Sequence, residues 1–210
     1  TDTCWSTLFP SPTLFRSLRH LATTAPLRGA TVASAVGYGS IGMLTTALPL
    51  HLAALGVDGN RAGIVWAAIE VGCVASILAV RRWLHRWRPE RVVFTTVALY
   101  GVTLALWPLT PHFTVLLGLA LVSGVAQGPT LTATITARQR YTPGPLLGQV
   151  STTGASVKIG AFAVGAAAGG ALLTAWRPGA VILLVAAGQL VGAALGAITS
   201  RVGHAVPATP

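Results

Sequence analysis

The chain has 210 residues, of which 53% are apolar and only 9% charged, with a mean hydropathy of +0.71. Soluble globular domains carry about 25% charged residues, so water is excluded as the main solvent. A net charge of +10 would point to nucleic acid in a soluble protein, but here the arginines stand in short bursts between long apolar runs. They read as membrane-orienting charges, with no nucleic-acid partner.

Residues 1–28 contain Pro10, Pro12 and Pro26 and no continuous apolar run. They lack an apolar core followed by a small-residue cleavage site, and read as a cytoplasmic linker or the end of an inter-domain loop. The first residue is Thr1, as expected of a fragment or a processed chain. A hydrocarbon core of about 30 Å needs about 20 helical residues. Runs of that order, bounded by charge, Gly or Pro, extend over 30–50, 62–80, 92–109, 113–136, 150–174 and 180–199. The expected fold is an all-α integral membrane protein with six transmembrane helices over 29–199, in direct contact with the lipid bilayer. Residues 200–210 read as a cytoplasmic, disordered tail.

Six spans put both termini on one side, and positive charge selects that side. One set of loops and tails holds Arg16, Arg19, Arg28, Arg81, Arg82, Arg86, Arg88, Arg91, Arg138, Arg140 and Arg201, and the other only Arg61 and Arg177. Both termini are therefore expected in the cytoplasm of a multi-pass cell-membrane protein. The segment 81–91 also has the composition of an anionic-lipid patch, but orientation accounts for it more simply. Small residues recur at four-residue spacing in Gly124/Gly128, Gly165/Gly169, Gly188/Gly192 and Gly192/Gly196. Such pairs let helices approach closely, and a dimerisation role for any one of them is the less expected use.

An ionisable group at the bilayer centre costs about 3 kcal/mol or more, so it needs a partner or a function. Glu70 in the second run and Lys158 in the fifth are two such groups. A structural ion pair between them, or with groups on another domain, is one reading, a proton or cation-substrate site at Glu70 is the second, and a lipid-facing Glu70 is the third. Ser34, Tyr38 and Thr45 form a polar stripe on the first run, and Ser123, Gln127, Thr130 and Thr134 form one on the fourth. Each faces a helix interface or a watery cavity. The third run also carries Thr96, Tyr100 and Thr103, and a threonine hydroxyl can bond back to its own helix. Pro49 and Gly128-Pro129 are expected to interrupt regular helix.

Catalytic and cofactor motifs are missing. Ser123 lies in Leu121-Val122-Ser123-Gly124 without the preceding glycine of an intramembrane protease. His20, His51, His85, His112 and His204 are scattered, Cys4 and Cys73 are too far apart for a metal pair, and no P-loop occurs. No enzyme activity, metal or other cofactor is expected.

Particular residues suggest a family. Leu48-Pro49-Leu50-His51-Leu52, Leu55-Gly56 and Ala62-Gly63 resemble the end of the seventh and the start of the eighth helix of major facilitator superfamily transporters. The run from Gly148 through Gly154 and Lys158 to Gly165, Gly169 and Gly170 is similar to their glycine-rich eleventh helix. The basic loop 81–91 stands where the family repeats a Gly-x-x-x-Asp-x-x-Gly-Arg-Arg motif, keeping the basic character without the glycines and aspartate. The resemblance covers 29–199 and implies the carboxy-terminal half of such a transporter, built as two inverted three-helix repeats. It implies a midplane cavity, with Glu70, Lys158, Tyr38, Thr45, Gln127, Thr130 and Thr134 as candidate lining. It also implies secondary active transport of a small-molecule substrate, with protons as the coupling ion in efflux or sugar-type members. The partner would be a missing amino-terminal half or a second copy. A self-contained six-helix channel or a non-transporting scaffold is the alternative.

Overall fold

The computed structural model describes residues 12–82 and 86–201. Cys4, His85, His204 and the tail 202–210 lie outside the described residues. All regular structure among them is helical: α1 (Pro12–Thr23), α2 (Ala25–Ala54), α3 (Ala62–Val80), α4 (Pro89–Ala105), α5 (Phe113–Tyr141), α6 (Gly144–Leu172) and α7 (Pro178–Arg201). The last six are long and apolar enough to cross a membrane. At about 1.5 Å per residue, α5 and α6, each of 29 residues, span about 43 Å. They exceed the apolar runs because helix continues into the headgroup region.

Chain punctuation follows local chemistry. Pro26, Pro89 and Pro145 stand in the first turns of α2, α4 and α6, where a missing N–H costs nothing. Gly56 ends α2 with φ +73°, a left-handed conformation that glycine adopts without strain. Pro49 and Pro129, expected to break their helices, instead lie within continuous α2 and α5. In a bundle, neighbouring helices and hydroxyl groups can satisfy the backbone groups that a proline frees. The segment 12–23, read as linker, is a helix that docks beside α6. The Ser17 hydroxyl shares a 3.0 Å hydrogen bond with that of Thr153, and Leu21 packs with Leu27, Ala137 and Val150.

The main helix contacts run α3–α5–α4–α7–α2–α6, making an arc with α3 and α6 at its two edges. Exchanging α2, α3, α4 for α5, α6, α7 maps this arc onto itself, as two three-helix repeats require. An odd number of spans per repeat makes the second cross the membrane in the opposite sense, so the repeats are inverted. Each repeat's first helix packs closely on the other repeat's second. At α2–α6, a Cβ on Gly165 would fall on the Gly39 carbonyl, and one on Gly42 on the Phe162 carbonyl. At α3–α5, a Cβ on Gly124 would strike Ile69 and one on Gly72 would strike Leu121. Gly188, Gly192 and Gly196 likewise face Ser40, Val36 and Ala33 of α2. All four four-residue glycine pairs thus serve packing inside the chain.

The apolar core fills the interior beside the α2–α3 and α4–α5 turns, around Leu44, Leu48, Leu52, Ile69, Leu104, Trp107 and Val185. The edge helices contribute little to the interior. Only Val150, Gly154, Gly165 and Gly169 of α6, and five residues of α3, are buried.

Candidate functional site

Lys158 lies at the midpoint of α6, 14 residues from each end (158 − 144 and 172 − 158). Its Nζ stands 4.0 Å from the centre of the Tyr38 ring on α2, a cation held on an aromatic face. Glu70 lies in the middle of α3 with its side chain exposed. It has no hydrogen-bond or ion-pair partner among the described residues. The ion pair between Glu70 and Lys158 is therefore not formed. The arc places them on opposite edges, and the tyrosine ring takes the cation. Glu70 still lies within electrostatic reach of Tyr38, Cys73 and Tyr100.

Behind Tyr38, the residues Ser34, Gly37, Ile41, Val97, Tyr100, Gln127, Thr130 and Gln189 close around a cavity of about 10 Å3, room for one water at most. Tyr38, Gln127 and Thr130 are brought together around it. Thr130 also donates to the Thr96 hydroxyl at 2.7 Å, tying α5 to α4. Ser123 accepts from the Trp107 indole at 3.2 Å and is fully buried, so this end of the α5 stripe serves packing. Thr45 and Thr134 bond back to the carbonyls of Gly42 and Thr130. Neither lines this cavity.

Gln189 escaped the sequence reading, and Tyr100 and Arg138 were read there without a place in a site. Gln189 of α7 is buried and donates to the Gly37 carbonyl at 2.8 Å. Tyr100 is buried with its hydroxyl unpartnered. Arg138, counted only as an orienting charge, lies one turn beyond Thr134 and so continues the α5 stripe. Its guanidinium lies against Gly154, one turn before Lys158, where a Cβ would come within 2.5 Å of Nη2. Nη1 donates to the Ser151 carbonyl at 3.3 Å, while Nε and Nη2 are buried without hydrogen-bond partners. The spacing from Thr134 was the available signal.

The site thus has two cations on one flank, a carboxylate on the other and an aromatic ring between them. Glu70 and Lys158 stand on the two edge helices of the arc, α3 and α6. A family model described as Major Facilitator Superfamily matches residues 30–209. No curated protein and no solved structure matches the chain.

Proposed function

The chain belongs to the major facilitator superfamily, and on that premise we propose that it is the carboxy-terminal half of a secondary active transporter that moves its small-molecule substrate in the proton-coupled efflux or sugar-type manner. Membrane transport of small molecules is the family's activity, and six spanning helices make the chain a multi-pass membrane protein. One observation carries the reading. Glu70 and Lys158 stand at mid-membrane on the two edge helices and are not paired with each other, although such groups are expensive in lipid. A second six-helix wall across the opening would enclose both and form an alternating-access cavity with them.

In this reading Lys158, positioned by Tyr38, and Arg138 attract the polar end of the substrate, and Glu70 takes up and releases the coupling proton. Gln127 and Thr130 give the cavity neutral hydrogen-bonding groups. The transmembrane unit of residues 29–199 is preceded by α1, which docks beside α6. The basic end of the bundle is cytoplasmic and the membrane is the plasma membrane, in line with the arginine asymmetry.

Vesicles holding the chain together with a six-helix amino-terminal partner test this. Proton movement is read by an internal pH dye while ethidium, as an efflux probe, or a non-metabolised sugar is supplied. Glu70→Gln should abolish substrate-driven proton movement while leaving substrate binding measurable. Proton movement unchanged in Glu70→Gln, or saturable uptake by the 210-residue chain as a monomer, contradicts the proposal.

A further inference from the structure

At the basic end, α2, α4, α5 and α7 leave a cleft of about 820 Å3 between them. Arg88 and Arg91 reach it from the start of α4, Arg140 from the end of α5 and Arg201 from the end of α7, over walls of Pro26, Phe94 and Ala197. Orientation in the membrane needs only that positive charges be present on one side. It does not need them to converge from three helices on one space. The single carboxylate there, Glu90, is already engaged, accepting a 3.0 Å hydrogen bond from the Tyr141 hydroxyl and only 8% exposed. Asp58 and Glu70 lie elsewhere in the fold and Asp2 outside the described residues. The cleft therefore presents four cations against one occupied anion. The positive end of α4, which begins at Pro89, opens into it as well.

A second cleft of about 530 Å3 continues from the first and shares Arg88, Arg91 and Thr95 with it. Arg86 and Thr96 also line it, and its other walls, Trp87, Val92, Leu99 and Pro129, are apolar. From Arg88 to Leu99 is 11 residues (99 − 88), or about 16 Å along the helix. One leaflet of hydrocarbon is about 15 Å deep, half of a core of about 30 Å. The apolar cleft thus runs from headgroup depth to mid-membrane. Trp87, 52% exposed, stands at its mouth, where an indole suits the interface.

We propose that the two clefts form one binding site for an anionic phospholipid, its phosphodiester among Arg88, Arg91, Arg140 and Arg201 and one acyl chain along the groove beside α4. A free phosphate would satisfy the arginines and leave the groove unexplained. The groove's length and its opening at headgroup level fit a lipid.

Native mass spectrometry of the full chain, released from vesicles of equal phosphatidylglycerol and phosphatidylcholine, tests the site. Phosphatidylglycerol should be retained and phosphatidylcholine lost. Arg91→Gln with Arg140→Gln should lower retention roughly 25-fold, about fivefold for each basic residue at an anionic surface. Arg61→Gln with Arg177→Gln, at the other end, should not change it. Leu99→Trp, which fills the groove, should lower retention of phosphatidylglycerol while leaving glycerol phosphate binding as it was. Equal retention of the two lipids, undiminished retention in the double arginine variant, or displacement of phosphatidylglycerol by equimolar glycerol phosphate would each overturn the proposal. Melting curves in phosphatidylcholine show whether the variants fold. If the arginine variants do not, raising salt on the wild-type chain must still release phosphatidylglycerol, and failure to do so overturns it equally.

Discussion

Gly169 and Gly170 are neighbours in α6 and face opposite circumstances, so alanine at each should give effects of opposite sign. A Cβ on Gly169 would lie 2.8 Å from Met43 Cα and 2.5 Å from the Thr46 hydroxyl on α2. Carbon contacts are comfortable at about 3.5–4.0 Å, so α2 and α6 must part by about 1 Å. A gap of that order forfeits a quarter to a half of the dispersion energy along the crossing. Overpacking of this kind costs about 1–3 kcal/mol. A Cβ on Gly170 meets nothing within 4 Å, and alanine there gains up to about 1 kcal/mol of helix propensity. Tryptophan-monitored unfolding of the chain in detergent reads both. Gly169→Ala should melt earlier than wild type and Gly170→Ala at or above it. Equal melting of the two variants would refute the α2–α6 crossing and, with it, the placement of Lys158 beside Tyr38.

Three further outcomes follow from the same geometry. Lys158→Met and Tyr38→Leu should show a coupling of about 1–2 kcal/mol in a double-mutant cycle of chain stability, as a half-buried cation on an aromatic face requires; additive effects would contradict the contact. Glu70→Gln should leave the stability of the 210-residue chain within about 0.5 kcal/mol of wild type, because the carboxylate has no partner among the described residues, and a loss of several kcal/mol would show a hidden pair. Cysteines placed at Arg61 and Arg177 should react with an impermeant maleimide from outside intact cells, and one at Arg86 only after permeabilisation; labelling of Arg86→Cys from outside would reverse the proposed orientation.

The spans were legible because hydrocarbon thickness is a hard length constraint and the charges between apolar runs are few. Their ends were not. α2 begins five residues before Ala30, and α6 six before Val150, since a helix does not stop where its apolar side chains do. α1 was hidden because its apolar residues, Leu14, Phe15, Leu18 and Leu21, lie at helical spacing among polar ones and make no continuous run. Tyr38, Gln127 and Thr130 were found by helical spacing, which fixes a shared face but not what that face meets. Ser123 and Thr130 reach Trp107 and Thr96 through tertiary contacts no periodicity reveals. Arg138 stands among the orienting charges and also extends the α5 stripe, and charge counting alone reveals only the first.

The exchanged pairing of the repeats bears on how the protein is made. Almost every large helix contact joins the first repeat to the second, while α2, α3 and α4 touch one another little. A chain that has emerged only as far as α4 has therefore not yet acquired the surfaces that hold it together. From Gly42 to the Gly165 region that it packs near is 123 residues (165 − 42). At about 5–20 residues per second, α2 waits roughly 6–25 s in or beside the insertion machinery with its small-residue groove uncovered. During synthesis the glycines that later give the tightest crossings are thus a liability, and α2 is secured only after α6 and α7 have followed, whereas α3 and α4 gain a partner as soon as α5 emerges.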